Sequence, residues 1–255
     1  MTVVLVDRPA EAIMRIALNR PDKRNALNPE LRLALIDALA AALDDAACAA
    51  IVLTGAGGHF CAGGDIDSMA GMTVQDSRAR MKSNHKLVAM VANAEKPVIA
   101  AVEGYAVGAG AGLALLADTL VLGEGGSIGF PFFKIGLIPD YGILWSLPRR
   151  VGAARARQIL LYARMLKGRA ALDAGVVDEV VPDGTAADRA VALATELAAM
   201  PRHAFALAKR QLALQPLSLD AALEMEAIGQ GVSQQTSEFT EGRNAFLEKR
   251  PPKFR

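Results

Sequence analysis

One carboxylate in this sequence, Asp140, lies in a setting suited to proton transfer. It occurs within residues 134–142 and is flanked by Ile138, Pro139 and Tyr141. Apolar neighbours keep water away from a carboxylate and raise its pKa towards a value useful for a general base. A Pro-Asp-Tyr-Gly run is also typical of a turn in which the aspartate bonds to its own backbone. The residues alone therefore leave Asp140 as either an acid–base group or a turn residue.

Two glycine-rich segments, residues 55–65 and 104–113, each follow a run typical of a strand. The first holds five glycines in eleven residues, and the second has glycines at positions 108, 110 and 112 before an apolar helix. Glycine lets a ligand approach bare backbone amides, and a helix amino terminus favours a developing anion. The second segment lacks the pattern of a dinucleotide-binding or phosphate-binding loop. Tight loops or close helix packing would require the same small residues.

The remaining reactive side chains carry weaker signals. His59 lies within the first glycine-rich segment but has no partner nearby in the sequence, which favours a loop-packing role. His85 and His203 occupy ordinary helix positions. Nothing around Cys61 indicates an activated thiolate.

Alternating strands and helices are predicted to position these groups. Asn28 can cap a helix whose first position is Pro29, and leucines recur through that helix at helical spacing. Further helices are predicted over residues 79–94 and 109–117. Strands separated by helices favour parallel βαβ units and an α/β fold. The predicted strands cover residues 13–18, 51–54, 98–102 and 119–122.

The character of the chain changes after Pro182, where only helices are predicted. Ser237 can cap the last of these helices. We therefore divide the chain into a core over residues 1–195 and a helical oligomerisation region over residues 196–255. Helix breaks are expected at Pro201, Pro216 and residues 229–231.

Composition argues against several classes of partner. The 28 basic and 27 acidic residues give a net charge of +1, which is too balanced for binding nucleic acid or an anionic membrane surface. Two cysteines without CxxC spacing or a nearby histidine cluster indicate a reducing cytoplasm and no structural metal site. The amino terminus lacks a signal-peptide pattern, and no apolar stretch reaches the ~18 residues of a spanning helix. We expect a cytoplasmic protein without nucleic-acid or membrane partners.

Five ordered segments resemble the crotonase superfamily, also called the enoyl-CoA hydratase/isomerase superfamily. They cover residues 20–28, 60–66, 97–118, 134–152 and 241–250. The fourth segment is most similar to the phenylacetate-pathway epoxide and enoyl-CoA isomerase group. The resemblance implies an α/β, crotonase-like spiral of ββα units with a carboxy-terminal helical region used in trimer formation.

The resemblance also implies roles for individual residues. The backbone amides of Gly64 and Ala109 would form an oxyanion hole for a thioester carbonyl. Coenzyme A would enter as part of the acyl-CoA substrate, with no separate cofactor and no metal. A homotrimer or dimer of trimers is expected, in which Phe246 and Lys249 reach the acyl-CoA site of a neighbouring subunit. The residues lining the nucleotide and pantetheine path would be Arg24, Ala26, Ala62, Asp65 and Ile66.

Hydratases of this family use two glutamates, and both are absent here. The matching positions are Gly112 and Phe132, neither of which can accept a proton. The position of Asp140 holds an aspartate in dienoyl-CoA isomerases and ring-epoxide isomerases, and a nucleophilic aspartate in 4-chlorobenzoyl-CoA dehalogenases. We therefore predict an isomerase in which Asp140 moves a proton from C2 to C4 of a 3-enoyl-CoA, or isomerises a ring-derived epoxy acyl-CoA.

Other functions on the same fold have different requirements. The peptidase use of this fold needs a serine that residues 104–117 lack, and a dehalogenase needs a histidine at the position of Met90. A hydratase in which Asp140 handles water alone stays open. A protein that binds acyl-CoA without catalysis is a further alternative, because both glutamates are missing.

Overall fold

The structure, a computed structural model, describes residues 2–214 and 217–254. Within these residues the chain forms nine strands and ten α-helices, and none of the described helices has the length and apolar character needed to cross a membrane. The strands are β1 (Val4–Ala10), β2 (Ile13–Leu18), β3 (Ala50–Gly55), β4 (Val98–Val102), β5 (Tyr105–Val107), β6 (Thr119–Gly123), β7 (Ser127–Gly129), β8 (Met165–Lys167) and β9 (Glu179–Val181). The helices are α1 (Pro29–Asp44), α2 (Val74–Ala92), α3 (Ala109–Leu115), α4 (Ile143–Val151), α5 (Ala153–Leu161), α6 (Gly168–Asp173), α7 (Ala186–Ala198), α8 (Arg202–Ala213), α9 (Leu219–Ser233) and α10 (Ser237–Glu248).

The larger of two sheets has its strands in the order β1-β2-β3-β4-β6-β9. β1 runs antiparallel to β2, and the other neighbours are parallel, which confirms the predicted βαβ arrangement. Leu53 on β3 pairs with Ile16 on β2 and with Ala100 on β4. Because parallel strands end at the same edge, the glycine-rich segments that follow β3 and β4 lie side by side.

A smaller sheet, which the sequence analysis does not predict, contains β5, β7 and β8. Each of these strands has three residues, which is too short for a periodic pattern to indicate a strand. β5 pairs with β7 in parallel, and β8 is antiparallel to β7. Since β5 leads directly into α3, this sheet fixes the position of the α3 amino terminus.

The strands of the larger sheet are apolar because both of its faces are covered. On β3, Ile51 and Leu53 belong to the main core, which includes the buried leucines of α1. Ala50 and Val52 point the other way and pack with the alanine face of α7. Burial on both faces produces continuous apolar runs rather than alternation. The sequence could therefore locate these strands but not tell which residues face which layer.

The first residues of α1 and α2 are set by their amino-terminal caps. The Asn28 side chain accepts a hydrogen bond from Leu31 N at 2.9 Å, as predicted for the start of α1. α2 begins earlier than the predicted residue 79, because Thr73 and Asp76 form a capping box ahead of it. The earlier start adds more than a turn to the amino-terminal end of α2, ahead of the residues that face the site.

The carboxy-terminal region is helical, but two details differ from prediction. Thr236 rather than Ser237 caps α10, since its hydroxyl accepts from Phe239 N. The predicted break at residues 229–231 is wrong, because α9 continues through it. The predicted break at Pro216 lies outside the described residues. Residue 195 lies within α7, and the division of the chain at that point stays a prediction.

Candidate active site

The two glycine-rich segments are joined by backbone pairing. Cys61 forms a parallel bridge with Ala106, and Val107 N donates to Cys61 O at 2.9 Å. Gly63 lies so close to the second segment that a Cβ on it would stand 3.0 Å from Val107 O and 3.9 Å from Ala109 N. Its φ of +109° is also one that L side chains rarely adopt. Glycine at position 63 is therefore required for the close approach of the segments.

This approach leaves two backbone amides bare. Gly108, with a φ of +55°, stands at the N-cap of α3 and donates to Gly129 O at 2.9 Å. Ala109 begins the helix, where an amide has no intrahelical acceptor. Across the described chain, neither Ala109 N nor Gly64 N donates to a protein acceptor. Two free N–H groups on adjoining segments can both donate hydrogen bonds to an oxyanion that develops between them.

Asn25 holds the first glycine-rich segment in place through side-chain hydrogen bonds. It is fully buried, and its Nδ2 donates to Ala56 O at 2.9 Å and to His59 O at 2.6 Å. Its Oδ1 accepts from Arg20 N at 2.7 Å. Every side-chain polar atom of Asn25 is thus paired. The segment's shape is set by these bonds as well as by its glycines.

Asp140 follows β7 and precedes α4 in the chain, and its Oδ1 is buried without a hydrogen-bond partner among the described residues. Burial raises the pKa of the Asp140 carboxyl to about 6. The positive charge of Arg80, and to a lesser extent His85, acts in the opposite direction. Loss of hydration is the dominant cause, as the apolar sequence around Asp140 predicted. A carboxylate with such a pKa is ionised at neutral pH and can take up a proton.

The two positions that match the hydratase glutamates are filled in different ways. A Cβ on Gly112 would stand 2.5 Å from Tyr141 Cβ and 3.1 Å from Tyr141 O, so no side chain fits there. Phe132 is buried, and its ring packs against Gly108, with Cζ 3.7 Å from the point where a Cβ on Gly108 would stand. Asp140 is thus next in sequence to Tyr141, which together with Ile143 fills the first glutamate position.

Sequence reasoning does not identify three polar side chains near this site. Arg32 on α1 and Asn84 on α2 are buried, with 7% and 1% of their surface exposed. Arg80, one turn before Asn84, places Nη2 3.1 Å from the point where a Cβ on Gly64 would stand. A signal was present in the sequence, since Arg80 and Asn84 share a helical face with the buried Leu87. A polar residue at helical spacing from buried apolar residues indicates a buried polar side chain.

The residues predicted to line the coenzyme path lie around the first segment. Arg24 O accepts from Ala62 N at 2.9 Å, and the Arg24 guanidinium lies 5.7 Å from the Tyr105 ring centre. The Asp65 carboxylate pairs with Arg20 at 3.1 Å, so its side chain is occupied. Ala26 O accepts from the same arginine at 2.6 Å, and Ile66 is exposed.

The two residues predicted to reach a neighbouring subunit lie far along the chain, at the end of α10. Phe246 is 82% exposed, and Lys249 ends the helix with a φ of +55°. Neither packs into the core of its own chain. Their predicted contribution to a second subunit stays a prediction.

The histidines and cysteines add little to the site. The His59 ring stacks on Tyr105 with centroids 5.1 Å apart, in agreement with a loop-packing role. His203 pairs with Glu238 at 3.1 Å. Cys61 is buried, and burial raises the pKa of its thiol to about 12, which disfavours a reactive thiolate. Among the described residues no cluster of histidine, cysteine, aspartate and glutamate could hold a metal ion.

The architecture defines the class of protein. The structure matches the crystal structure of an enoyl-CoA hydratase from Bacillus anthracis with a TM-score of 0.93 and 31% identity, covering 99% of this chain and 100% of that one. The chain therefore has the α/β crotonase fold, as its sequence predicted.

The sequence comparisons give the family. The enoyl-CoA hydratase/isomerase model matches residues 8–255, and the chain belongs to that family of enzymes. It is 35% identical over 265 residues to the 1,2-epoxyphenylacetyl-CoA isomerase of Escherichia coli (strain K12), covering 100% of this chain and 99% of that one. It is 40% identical over 246 residues to a probable enoyl-CoA hydratase of Rhodobacter capsulatus, covering 96% and 95%. The relatives thus include both isomerases and hydratases.

Proposed function

We propose that this protein is an acyl-CoA isomerase that uses Asp140 as its base. Its substrate is a 3-enoyl-CoA, converted to the 2-enoyl-CoA, or a ring-derived epoxy acyl-CoA. The observation that carries the proposal is the desolvated carboxylate of Asp140, next in sequence to the residue that packs on Gly112, in a site with two bare amides where neither Gly112 nor Phe132 can accept a proton. The similarity to a 1,2-epoxyphenylacetyl-CoA isomerase supports it.

The reaction follows from the two features together. The thioester oxygen accepts hydrogen bonds from Gly64 N and Ala109 N, which draws electrons from C2. Asp140 removes a proton from C2, and the negative charge moves to the thioester oxygen as an enolate. The enolate electrons then form the C2–C3 double bond as the C3–C4 pair takes the proton back at C4. Each amide supplies about 3 kcal/mol of stabilisation, and the base about 10²-fold to 10⁴-fold in rate.

The coenzyme A portion binds along the first glycine-rich segment in this proposal. The coenzyme is part of the substrate, and no further cofactor is required. We propose a homotrimer, or a dimer of trimers, in which Phe246 and Lys249 complete the acyl-CoA site of the next subunit. The exposure of Phe246 supports this assembly, because a large apolar side chain at 82% exposure gains from burial in an interface. The residues on the coenzyme path are Arg24, Ala26, Ala62, Asp65 and Ile66.

Product analysis tests the proposal directly. The protein is incubated with 2-enoyl, 3-enoyl and epoxyphenylacetyl thioesters of coenzyme A, and the products are examined by mass spectrometry. An unchanged mass with a moved double bond is the expected result. A gain of 18 mass units, one water, would instead establish a hydratase. Binding without turnover on every thioester would establish a non-catalytic acyl-CoA-binding protein.

The Asp140→Asn variant tests the assignment of the base. We expect isomerisation to fall by about 10²-fold to 10⁴-fold, with acyl-CoA affinity largely kept, because the amide keeps the shape of the side chain but not its basicity. Single-turnover kinetics and calorimetric titration measure the two effects separately. Near-wild-type turnover in this variant would remove Asp140 from the mechanism.

A further inference from the structure

An arginine that the proposed reaction does not use lies beside the oxyanion hole. Arg80 is on α2, its side chain is half-buried, and its Nη2 lies 3.1 Å from the point where a Cβ on Gly64 would stand. A Cβ stands about 2.5 Å from the nitrogen of its own residue, so Nη2 is within about 5.6 Å of Gly64 N. The guanidinium is therefore close to the amide that receives the thioester oxygen in the proposed function.

Glycine at position 64 is required by space and not by backbone conformation. Gly63 has a positive φ that favours glycine, whereas Gly64 is not among the described residues with a positive φ. A Cβ on Gly64 would instead stand 2.7 Å from the methyl carbon of Met69 and 3.1 Å from Arg80 Nη2. Both neighbouring atoms are the ends of flexible side chains, so an alanine would displace them and leave the backbone in place. Gly64 therefore makes the close approach of the guanidinium possible.

No described carboxylate forms an ion pair with this guanidinium. Within the parts of the chain that the structure describes, the Arg80 side chain donates no hydrogen bond. Asp65, the nearest carboxylate in sequence, pairs with Arg20 at 3.1 Å. Asp140 interacts with Arg80 only at longer range, where the positive charge lowers the pKa of the carboxyl against the larger effect of burial. A half-buried cation without a partner is available to a negative charge that develops nearby.

The negative charge of the proposed reaction develops at this place. Removal of the C2 proton turns the thioester oxygen into an enolate oxygen, which two neutral amides bind. A hydrogen bond between a charged donor or acceptor and its partner is about twice as strong as one between neutral groups. The attraction between opposite charges also increases away from bulk water. A guanidinium at the hole therefore stabilises the enolate more than the neutral thioester, which is the condition for a faster reaction.

We propose that Arg80 is a third donor of the oxyanion hole, whose guanidinium hydrogen-bonds the enolate oxygen beside the amides of Gly64 and Ala109. The identity of the hole rests on the proposed function. Arg80 keeps its own protons, because a guanidinium is not deprotonated in proteins, and the proton removed from C2 goes to Asp140. The hole then carries a full positive charge, which a pair of amides lacks.

The carbonyl band of a bound thioester tests the proposal without any turnover. Hexanoyl-CoA has no double bond to move, and difference infrared spectroscopy with an isotope label at the carbonyl records its C=O stretch. Binding to the wild-type protein should lower this frequency, because hydrogen bonds to the oxygen weaken the C=O bond. Arg80→Met keeps the apolar stem without the charge and should lose part of the lowering, whereas Arg80→Lys should lose less. Arg78→Met removes an exposed arginine of the same helix and should match the wild type.

Kinetics distinguish a donor at the hole from an effect on the base. Arg80→Met should lower kcat by about 10-fold to 100-fold with little change in KM, the range of one charged hydrogen bond that strengthens in the transition state. Arg80 and His85 both lower the pKa of the Asp140 carboxyl, so loss of the Arg80 charge should also move the rise of kcat to higher pH. The slower rate should persist on the plateau, where Asp140 is ionised in both proteins.

A double-mutant cycle with Gly64→Ala tests the link between the two residues. This variant keeps the amide but should displace the guanidinium, so it should slow the wild-type protein and have a several-fold smaller effect in Arg80→Met. Circular dichroism establishes that each variant is folded, and Gly64→Ala provides the infrared comparison if Arg80→Met does not fold.

Two results would overturn the proposal. Equal carbonyl frequencies in the wild-type and Arg80→Met complexes would exclude a contact with the thioester oxygen. Equal plateaus of kcat would mean that Arg80 acts only through the ionisation of Asp140. A carbonyl frequency that depends on Arg80, in a protein that isomerises no thioester, would contradict the proposed function and leave the third donor standing.

Discussion

Two buried asparagines show opposite uses of the same side chain. Asn25 is 0% exposed and makes three hydrogen bonds, which tie the first glycine-rich segment to the loop before α1. Asn84 is 1% exposed, and its oxygen has no hydrogen-bond partner within residues 2–214 and 217–254. Equal burial with unequal pairing separates a group that holds the fold from one available to a ligand.

The contrast extends to the charged residues around each asparagine. Beside Asn25, Arg20 pairs with Asp65 at 3.1 Å and also donates to Ala26 O. Asp140 Oδ1 and Arg32 Nε, like Asn84 Oδ1, are buried without a hydrogen-bond partner among the described residues. We call the residues around Asn25 the paired wall, and Arg32, Asn84 and Asp140 the unpaired wall. The paired wall holds the first glycine-rich segment in place, and the unpaired wall keeps polar atoms available to a ligand.

The largest effect on stability is expected when the paired asparagine is replaced. Asn25→Leu removes three hydrogen bonds and leaves Ala56 O, His59 O and Arg20 N, which are partly buried, without them. It also forces a leucine to a φ of +59°. We expect the free energy of unfolding to fall by about 3–5 kcal/mol, measured by urea denaturation.

A second variant separates backbone strain from lost pairing at this position. Asn25→Gly tolerates the positive φ but cannot make the hydrogen bonds. A loss within about 1 kcal/mol of that in Asn25→Leu would assign the effect to the bonds. If both variants were as stable as the wild type, the paired wall would have no structural role and the contrast with Asn84 would fail.

The next largest effect is a pH dependence of stability caused by Asp140. Burial raises the pKa of this carboxyl from an ordinary value of 3.8 to about 6 in the folded chain. The folded state then holds its proton more tightly than the unfolded state, so ionising Asp140 costs folding free energy. The cost is absent below about pH 4, grows as pH rises to about 6, and is complete above that, at up to about 3 kcal/mol.

The Asp140→Asn variant isolates this contribution. Relative to the wild type, it should be more stable at pH 8 than at pH 4.5, because asparagine has no charge to form. Urea denaturation of both proteins at the two pH values measures the difference. In the wild type, kcat/KM should rise with pH and level off above about pH 6, since the base must be ionised. A stability difference that does not change with pH would show that the Asp140 carboxyl is not desolvated.

The strands, the first helix cap and the family residues could be predicted from the sequence, but the hydrogen bonds of the paired wall could not. Strands β2, β3 and β4 were located from apolar runs, and the cap at Asn28 from local chemistry, because such signals lie within a few residues of one another. The resemblance to the crotonase superfamily supplied Gly64, Ala109 and Asp140. Neither route identified Asn25, whose partners lie 31 and 34 residues away.

The unpaired wall depends on contacts between distant parts of the chain. Arg32 and Asn84 lie on different helices, and their lack of partners is visible only when α1, α2 and the loop at Tyr141 are placed together. The sequence also showed that position 112 carries a glycine where hydratases have a glutamate, but it gave no reason for the difference. The structure adds the reason, since Tyr141 occupies the space. Such relations are set by tertiary packing, which local periodicity does not report.

A smaller effect on stability is expected at Gly112, which packs against Tyr141. In Gly112→Ala the new Cβ would stand 2.5 Å from Tyr141 Cβ, which must then move together with Asp140. Overpacking of this kind costs about 1–3 kcal/mol. Gly231→Ala is the matched control, because that helical glycine has no neighbouring atom within 4 Å and alanine should stabilise it slightly. Chemical denaturation measures both, and equal stabilities would show that position 112 has room for a side chain.

The smallest effect on stability is expected at Asn84, although the substitution is the same as at Asn25. Asn84→Leu removes a buried carboxamide whose oxygen is unpaired and whose nitrogen contacts only the Met81 sulfur, so one weak contact is lost. Similar volume and lower desolvation cost should leave the free energy of unfolding within about 1 kcal/mol of the wild type, or slightly higher. A loss of stability approaching that of Asn25→Leu would mean that Asn84 holds the fold after all, and the two walls would no longer differ in kind.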